Sequence, residues 1–132
     1  MSRLAILLTC LAFTGCIAAA APTPVESGAT FTLAPGESAS LVGTPVGVRF
    51  VSVTEDSRCP QDTTCIWAGE VKAAIEILER SKVARQLELK LGESAEGRGC
   101  RVTLLAVEPL PSSTARISRQ GYRATLRIDK AS

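Results

Sequence analysis

The stretch QLELKL, residues 86–91, alternates polar residues and leucines without interruption. Alternation at period two puts the leucines on one face of an extended strand and the polar residues on the other. The pattern returns near the end of the chain, where Tyr122, Ala124, Leu126 and Ile128 are expected to point inward and their neighbours outward. These two segments predict strands with one buried face, and they decide the fold class.

Other segments extend this pattern along the chain. Short runs rich in β-branched or alternating residues, separated by Pro and Gly turns, occur at 31–33, 37–42, 48–54 and 101–107. Together with residues 71–78, they give about seven short strands at spacings typical of all-β domains. We therefore predict an all-β fold, an antiparallel β-sandwich or a small barrel.

Residues 71–78 are the ambiguous element. At period two Val71, Ala73, Ile75 and Ile77 share a face, whereas the composition and a stripe at helical spacing favour a helix. Because both neighbouring segments are predicted strands and no residue caps a helix start, we favour a strand here.

The N-terminal residues predict export. Residues 4–13 form an apolar run with the size of a secretory signal core, and it is too short to span a bilayer. The sequence FTGC, residues 13–16, is similar to the lipobox of bacterial lipoproteins, which makes Cys16 the candidate lipidated N-terminus. The alternative is ordinary cleavage after residue 20, which would release a soluble periplasmic or secreted protein. The expected organisation is a signal peptide over 1–15 (alternatively 1–20), a flexible tether over 16–28 and a single β domain over 29–132.

Composition excludes several kinds of chemistry. The chain has no histidine and no asparagine, so it cannot use a histidine base, His-ligated metals or N-linked glycosylation. An enzyme would have to rely on carboxylates, a Ser–Lys pair or cysteine redox chemistry. The formal net charge is only +2. The basic C-terminal region holds only one aromatic residue, Tyr122, so no nucleic-acid partner is predicted.

The stretch EDSRCPQDTTCIWAGE, residues 55–70, differs from the strands around it. Five residues separate Cys59 from Cys65, whereas a thioredoxin-type redox site has two between its cysteines. A zinc site needs four ligands at paired short spacings, and Cys100 with Asp62 does not complete one. No metal or cofactor is predicted. Because exported domains meet an oxidising environment, we expect a disulfide between Cys59 and Cys65.

That disulfide would clip a turn between two strands. Pro60 presets one backbone angle, and the side chains of Asp62 and Thr63 bond readily to nearby backbone N–H groups. Closing so small a ring stabilises the fold by about 2 kcal/mol. Trp67 lies two positions after Cys65, so on a strand it would share that face, pack against the disulfide and close the end of the core.

Four residues of the stretch form a candidate contact surface: Asp56, Arg58, Asp62 and Trp67. Asp56 and Arg58 share a strand face, and a local ion pair is the favoured role for them. Outside the stretch, Cys100 is expected to be a buried small apolar residue at a strand start. The alternatives for its thiol are a bridge to a partner or an exchange with the Cys59–Cys65 pair.

The residues DSRCP at 56–60, then four residues to Cys65, then WAG at 67–69, carry a resemblance. The chain resembles a family of small exported bacterial proteins of unknown function, many of them lipoprotein-like, with a D-S-R-C-P-x4-C-x-W-A-G signature. A V-x-P-x-P segment similar to residues 107–111 accompanies that signature. The resemblance implies an envelope location and supports a strand after Gly69, and it implies no activity. Cys100 is not part of the family's pattern.

These observations lead to an expected function. We expect an exported cell-envelope protein, anchored by lipid on Cys16, that acts as a non-enzymatic binding or structural module for an unidentified protein or envelope ligand. The residue after Cys16 is not Asp, which by resemblance to Gram-negative lipoproteins points to the outer membrane. The first alternative is a secreted inhibitor or ligand-binding protein that uses the Cys59–Cys65 loop. The second is a small histidine-free hydrolase.

Overall fold

A computed structural model describes residues 15 and 20–131. Within them the chain forms nine strands and one short 3-10 helix. The strands are β1 (Thr23–Val25), β2 (Thr30–Leu33), β3 (Ser38–Leu41), β4 (Val46–Asp56), β5 (Val71–Glu79), β6 (Lys82–Lys90), β7 (Ser94–Gly97), β8 (Cys100–Glu108) and β9 (Arg123–Lys130), and the helix is η1 (Arg119–Gly121).

The strands form two sheets. One has five strands in the order β1-β3-β4-β5-β6, and the other has four in the order β2-β9-β8-β7. All neighbouring pairs are antiparallel except β1 with β3, which is parallel. The sheets face each other across one core, which confirms the predicted all-β class as a sandwich.

The core follows from the alternation in the sequence. The buried apolar side chains come from both sheets, and the largest are Phe50, Ile75, Ile77, Leu89, Leu104, Leu126 and Ile128. In β9 the inward face is Ala124, Leu126 and Ile128, as the period-two pattern predicts, with Tyr122 half-buried just before the strand. The ambiguous segment 71–78 is a strand, since β5 alternates buried and half-buried side chains over most of its length.

Some sequence predictions are wrong. Thr23–Val25 belongs to β1 rather than to a flexible tether, and Val25 is part of the core. The β domain therefore begins before residue 29, while residues 16–19 lie outside the described part. Pro24 fits in β1 because this is an edge strand, where a missing N–H costs no ladder bond. A further short strand, β7, lies between the predicted strands at 86–91 and 101–107, so with β1 the strands are nine rather than about seven. Leu91 is exposed instead of inward, because β6 ends at Lys90.

Candidate binding loop

The long connection between β4 and β5, residues 57–70, is named here the disulfide loop. Its base continues the hairpin beyond the strands. The Ser57 amide donates to the Glu70 carbonyl at 2.8 Å, and the Cys59 amide donates to the Ala68 carbonyl at 3.0 Å. The Ser57 hydroxyl also accepts from the Glu70 amide at 3.0 Å. The base of the loop is thus fixed by backbone pairing.

Gly69 is required for this path. Its φ is +67°, in the left-handed region, and a Cβ there would lie 1.8 Å from the Ser57 carbonyl oxygen. The Ser57 backbone therefore passes through the space that any other side chain at 69 would occupy. The glycine of the WAG sequence is explained by this close approach.

The predicted disulfide between Cys59 and Cys65 is present. Inside the ring the Thr63 amide donates to the Pro60 carbonyl at 3.1 Å, which closes the turn that the sequence predicts. Covalent closure and this bond hold the outer part of the loop in one shape.

The Asp56–Arg58 ion pair is also confirmed, and Arg58 makes further hydrogen bonds to the opposite sheet. The guanidinium contacts both carboxylate oxygens of Asp56 at 2.8 Å. It also donates to the Val107 carbonyl at 2.7 Å and the Pro109 carbonyl at 3.1 Å. Both charged side chains are only 11% exposed. Arg58 therefore ties the disulfide loop to the end of β8, on the opposite sheet.

Tyr122 completes this cluster, because its hydroxyl donates to Asp56 at 3.0 Å. Burial alone would raise the pKa of Asp56, but hydrogen bonds from Arg58 and Tyr122 and the nearby guanidinium charge outweigh it and lower that pKa. Burial and the bond to Asp56 raise the pKa of Tyr122. Asp56 is thus a charged, fully engaged acceptor at neutral pH.

A second tie joins the disulfide loop to the segment after β8. Asp62 accepts from the Ser113 amide at 3.0 Å and from the Ser113 hydroxyl, and the Gln61 amide donates to the Pro111 carbonyl at 3.0 Å. The hydrogen bonds from Ser113 lower the pKa of Asp62. Asp62 therefore fixes a distant segment rather than bonding within its own turn as the sequence suggested.

Trp67 is not where the sequence placed it. It is 83% exposed, and the preceding Ile66 is fully exposed. The prediction that Trp67 packs on the disulfide and closes the core is wrong, because residues 66–69 are not part of a strand and the period-two rule does not apply to them. Instead, Ile66 and Trp67 form an apolar tip, named here the Ile66–Trp67 tip.

The flank of this tip is polar. Trp67 lines a shallow groove together with Ser57, Ala68, Gly69 and Glu70. The Glu70 carboxylate lies 3.3 Å from both the Lys72 and the Lys90 ammonium groups. Hydrogen bonds from Lys90 and Lys72 lower the pKa of Glu70. Lys72 also pairs with Glu55 at 2.9 Å, so two acids and two lysines leave this flank close to neutral.

The structure thus divides the predicted contact surface. The side chains of Asp56 and Arg58 are largely buried in their ion pair and do not belong to an exposed surface, whereas Asp62 and Trp67 are exposed. Sequence reasoning missed Ile66, Tyr122 and Ser113. Ile66 adjoins Trp67 and could have been included from its type alone. The other two lie far along the chain, and no local pattern brings them to the loop.

Cys100, at the start of β8, lies outside the disulfide loop. Cys100 is buried, as the sequence predicted, and does not exchange with the Cys59–Cys65 pair; burial raises the pKa of its thiol. Cys16 lies outside the described residues. Within the described part, no three His, Cys, Asp or Glu residues lie close enough together to bind a metal ion.

Comparison with known proteins adds no relative: no family model, no curated protein and no solved structure matches this chain. The fold and the loop define the class on their own. It is a two-sheet β-sandwich with a disulfide-closed loop that exposes an apolar tip.

Proposed function

We propose that this chain is an exported cell-envelope protein, lipid-anchored through Cys16, that works as a non-enzymatic binding module. Its contact surface is the Ile66–Trp67 tip of the disulfide loop. This combines the expected envelope module with the expected use of the Cys59–Cys65 loop, and it replaces the earlier contact set with a smaller one. The observation that carries it is the exposure of Ile66 and Trp67 on a loop whose base is fixed.

Adjacent exposed isoleucine and tryptophan side chains favour a binding role. Water contact with two large apolar side chains has a free-energy cost that the fold does not recover, and tryptophan is enriched where a partner covers it. Both residues lie on a loop rather than on a strand, and neither side chain belongs to the hydrophobic core.

The framework behind the tip supports the same role. The disulfide, the Arg58 bonds to the end of β8 and the Asp62–Ser113 bonds all restrict the loop before any ligand arrives. A pre-ordered contact surface loses less conformational entropy on binding than a flexible one. These contacts are therefore useful to a binding surface as well as to stability.

The hydrolase alternative gains no support from Asp56, the last residue of β4, or from Asp62 in the disulfide loop. A general acid or base needs a free oxygen and a pKa near the working pH. Asp56 has its oxygens bonded to Arg58 and Tyr122 and its pKa lowered, and Asp62 is bonded to Ser113 with its pKa lowered. Both are held as structural anions.

Export is consistent with the disulfide, which persists in oxidising compartments. Among the described residues, no helix has the length and apolar character needed to cross a bilayer.

Metabolic labelling with a palmitate analogue tests the anchor. Label should enter the wild type and not Cys16→Ala, and a wild type without label would overturn the anchor.

Photocrosslinking in intact cells tests the contact surface. A photoreactive residue replaces Ile66 in one variant and Val42, an equally apolar exposed residue in the turn after β3, in the matched control. We expect defined adducts with an envelope component from position 66, reduced by Trp67→Ala, and none of these from position 42. The same adducts from both positions would refute the contact surface.

A further inference from the structure

Two hairpin turns meet at the end of the sandwich opposite the disulfide loop. Arg80 and Ser81 join β5 to β6, and Arg98 and Gly99 join β7 to β8. The two turns belong to different sheets, yet Arg80 and Arg98 line one open groove of about 480 Å³. This groove, named here the turn groove, is lined by Glu79, Arg80, Lys82, Val83, Ala84 and Arg98. It lies a full strand length from the disulfide loop, because β5 begins after that loop and ends at Glu79.

The backbone of these turns is unusual. Among the described residues, the non-glycine positions at positive φ are Arg80 at 51°, Ser81 at 65° and Arg98 at 53°. Two-residue hairpin turns of this kind favour Asn, Asp or Gly, and a larger side chain at positive φ has a conformational cost. Both arginines of the turn groove therefore stand where the backbone favours a smaller residue. This indicates that their side chains have a use that outweighs the cost.

Ion pairing within the fold does not supply that use. Arg98 lies 3.6 Å from Glu79, and their side chains are 53% and 41% exposed, so the pair contributes little to stability. Neither Arg80 nor Lys82 forms an ion pair within the described part of the chain. The groove is lined by three basic side chains and one acid, which leaves two positive charges uncompensated.

We propose that the turn groove binds a phosphate monoester. Such a group carries close to two negative charges at neutral pH, which matches the uncompensated charge of the groove, whereas a carboxylate carries only one. The planar guanidinium groups of Arg80 and Arg98 suit paired hydrogen bonds to phosphate oxygens, and Lys82 adds a third cationic donor. This site goes beyond the proposed function, because it needs neither the Ile66–Trp67 tip nor the anchor.

Protection of arginine side chains from chemical modification tests the site. The full chain is purified after export and treated with phenylglyoxal, and peptide mass spectrometry follows the modification of each arginine. Methyl phosphate should slow the modification of Arg80 and Arg98 in a saturable way. Arg116, which is exposed on the segment after β8, should react at an unchanged rate. Methyl sulfate has a similar shape and a single charge, so it is the matched probe and should protect far less.

Two glycine variants separate the arginine side chain from the strained backbone. Arg80→Gly removes the guanidinium, so protection of Arg98 should need about tenfold more methyl phosphate, the loss expected for one charge-assisted hydrogen bond. Ser81→Gly is the matched control, because it relieves positive φ at the next residue and keeps the arginine. It should protect Arg98 as the wild type does. Since glycine adopts positive φ without steric cost, neither variant should lower the urea midpoint.

The outcomes decide for or against the site. Protection by methyl phosphate that weakens in Arg80→Gly and not in Ser81→Gly supports it. Equal protection by methyl sulfate would show a general charge effect and overturn the site, as would equal protection in the two variants. A fall in the urea midpoint of Arg80→Gly alone would make Arg80 a structural residue and also overturn it.

The same reaction on vesicles distinguishes two sources of the phosphate. The vesicles contain phosphatidylcholine, without or with phosphatidic acid, whose headgroup is a phosphate monoester. Protection of Arg80 only by phosphatidic acid assigns the site to a lipid headgroup, and protection by methyl phosphate in solution assigns it to a soluble ligand. Protection by neither overturns the site. That result leaves the crosslinking expected from position 66 unchanged, so the two proposals fail independently.

Discussion

Two connections of the same sheet differ in length and in the contacts that fix their shape. β5 and β6 are joined by only Arg80 and Ser81, both at positive φ, as in the tight turns that suit the twist of a hairpin. β4 and β5 are joined by the disulfide loop, residues 57–70, which needs a disulfide, a buried ion pair and bonds to the opposite sheet to keep its shape. The short turn keeps its shape without such contacts. The long loop presents side chains, and its extra contacts indicate that its shape matters.

The largest expected effect comes from Gly69→Ala. A Cβ at this residue meets the Ser57 carbonyl at 1.8 Å in addition to the cost of φ +67°. Gly92→Ala is the matched control, because Gly92 has φ +82° and open space around it. We expect a loss of unfolding free energy of more than about 3 kcal/mol at Gly69 and about 1 kcal/mol at Gly92, measured by urea unfolding. Equal losses would mean that the close approach to Ser57 does not constrain the loop.

Arg58→Ala is expected to cost about 3 kcal/mol of unfolding free energy, because it leaves Asp56 partly buried without its counter-ion and two carbonyls without a donor. Arg127→Ala removes a more exposed pair with Asp129 and should cost less than about 1 kcal/mol. Thermal unfolding of both variants at neutral pH makes the comparison. If Arg58→Ala were as mild as Arg127→Ala, the loop would not depend on its tie to β8.

A smaller effect concerns Tyr122 and pH. The folded pKa of Asp56 lies below its ordinary value of 3.8, so its contribution to stability is present above pH 3.8 and is lost as the pH falls through the folded pKa. Tyr122→Phe removes one bond to this carboxylate. It should raise the pKa of Asp56 and lower the unfolding free energy by about 1 kcal/mol.

Carboxylate NMR titration checks this directly, with Asp62 as the internal control because its pKa is lowered by Ser113 rather than by Tyr122. The expected result is a shift of Asp56 with Asp62 unchanged. A variant in which Asp56 titrates as in the wild type would show that the Tyr122 hydroxyl contributes nothing to this cluster.

The two connections also show what the sequence can predict. The alternation in β9 and the ion pair between Asp56 and Arg58 are local patterns, and both are confirmed. The disulfide followed from cysteine spacing together with the expected export. Each depends on residues close in sequence, where spacing alone restricts geometry.

The failures depend on distant partners. β1 looks like a linker because of Pro24, and only pairing with β3 makes it a strand. The spacing from Cys65 predicts a strand face for Trp67, but β5 begins only at Val71, after Gly69 at positive φ. Tyr122 reaches Asp56 from 66 residues away. No periodicity in the sequence contains these contacts.

The smallest expected effect separates a presented residue from a packed one. Trp67→Ala should change the unfolding free energy by less than about 0.5 kcal/mol, because the ring is 83% exposed. Phe50→Ala, at a fully buried side chain of β4, should cost about 3–5 kcal/mol. Urea unfolding of the two variants compares a side chain buried in β4 with one exposed on the loop that follows it. If Trp67→Ala cost as much as Phe50→Ala, the ring would pack on the core after all. If it costs almost nothing, any loss of envelope contact in this variant is a loss of binding and not of folding.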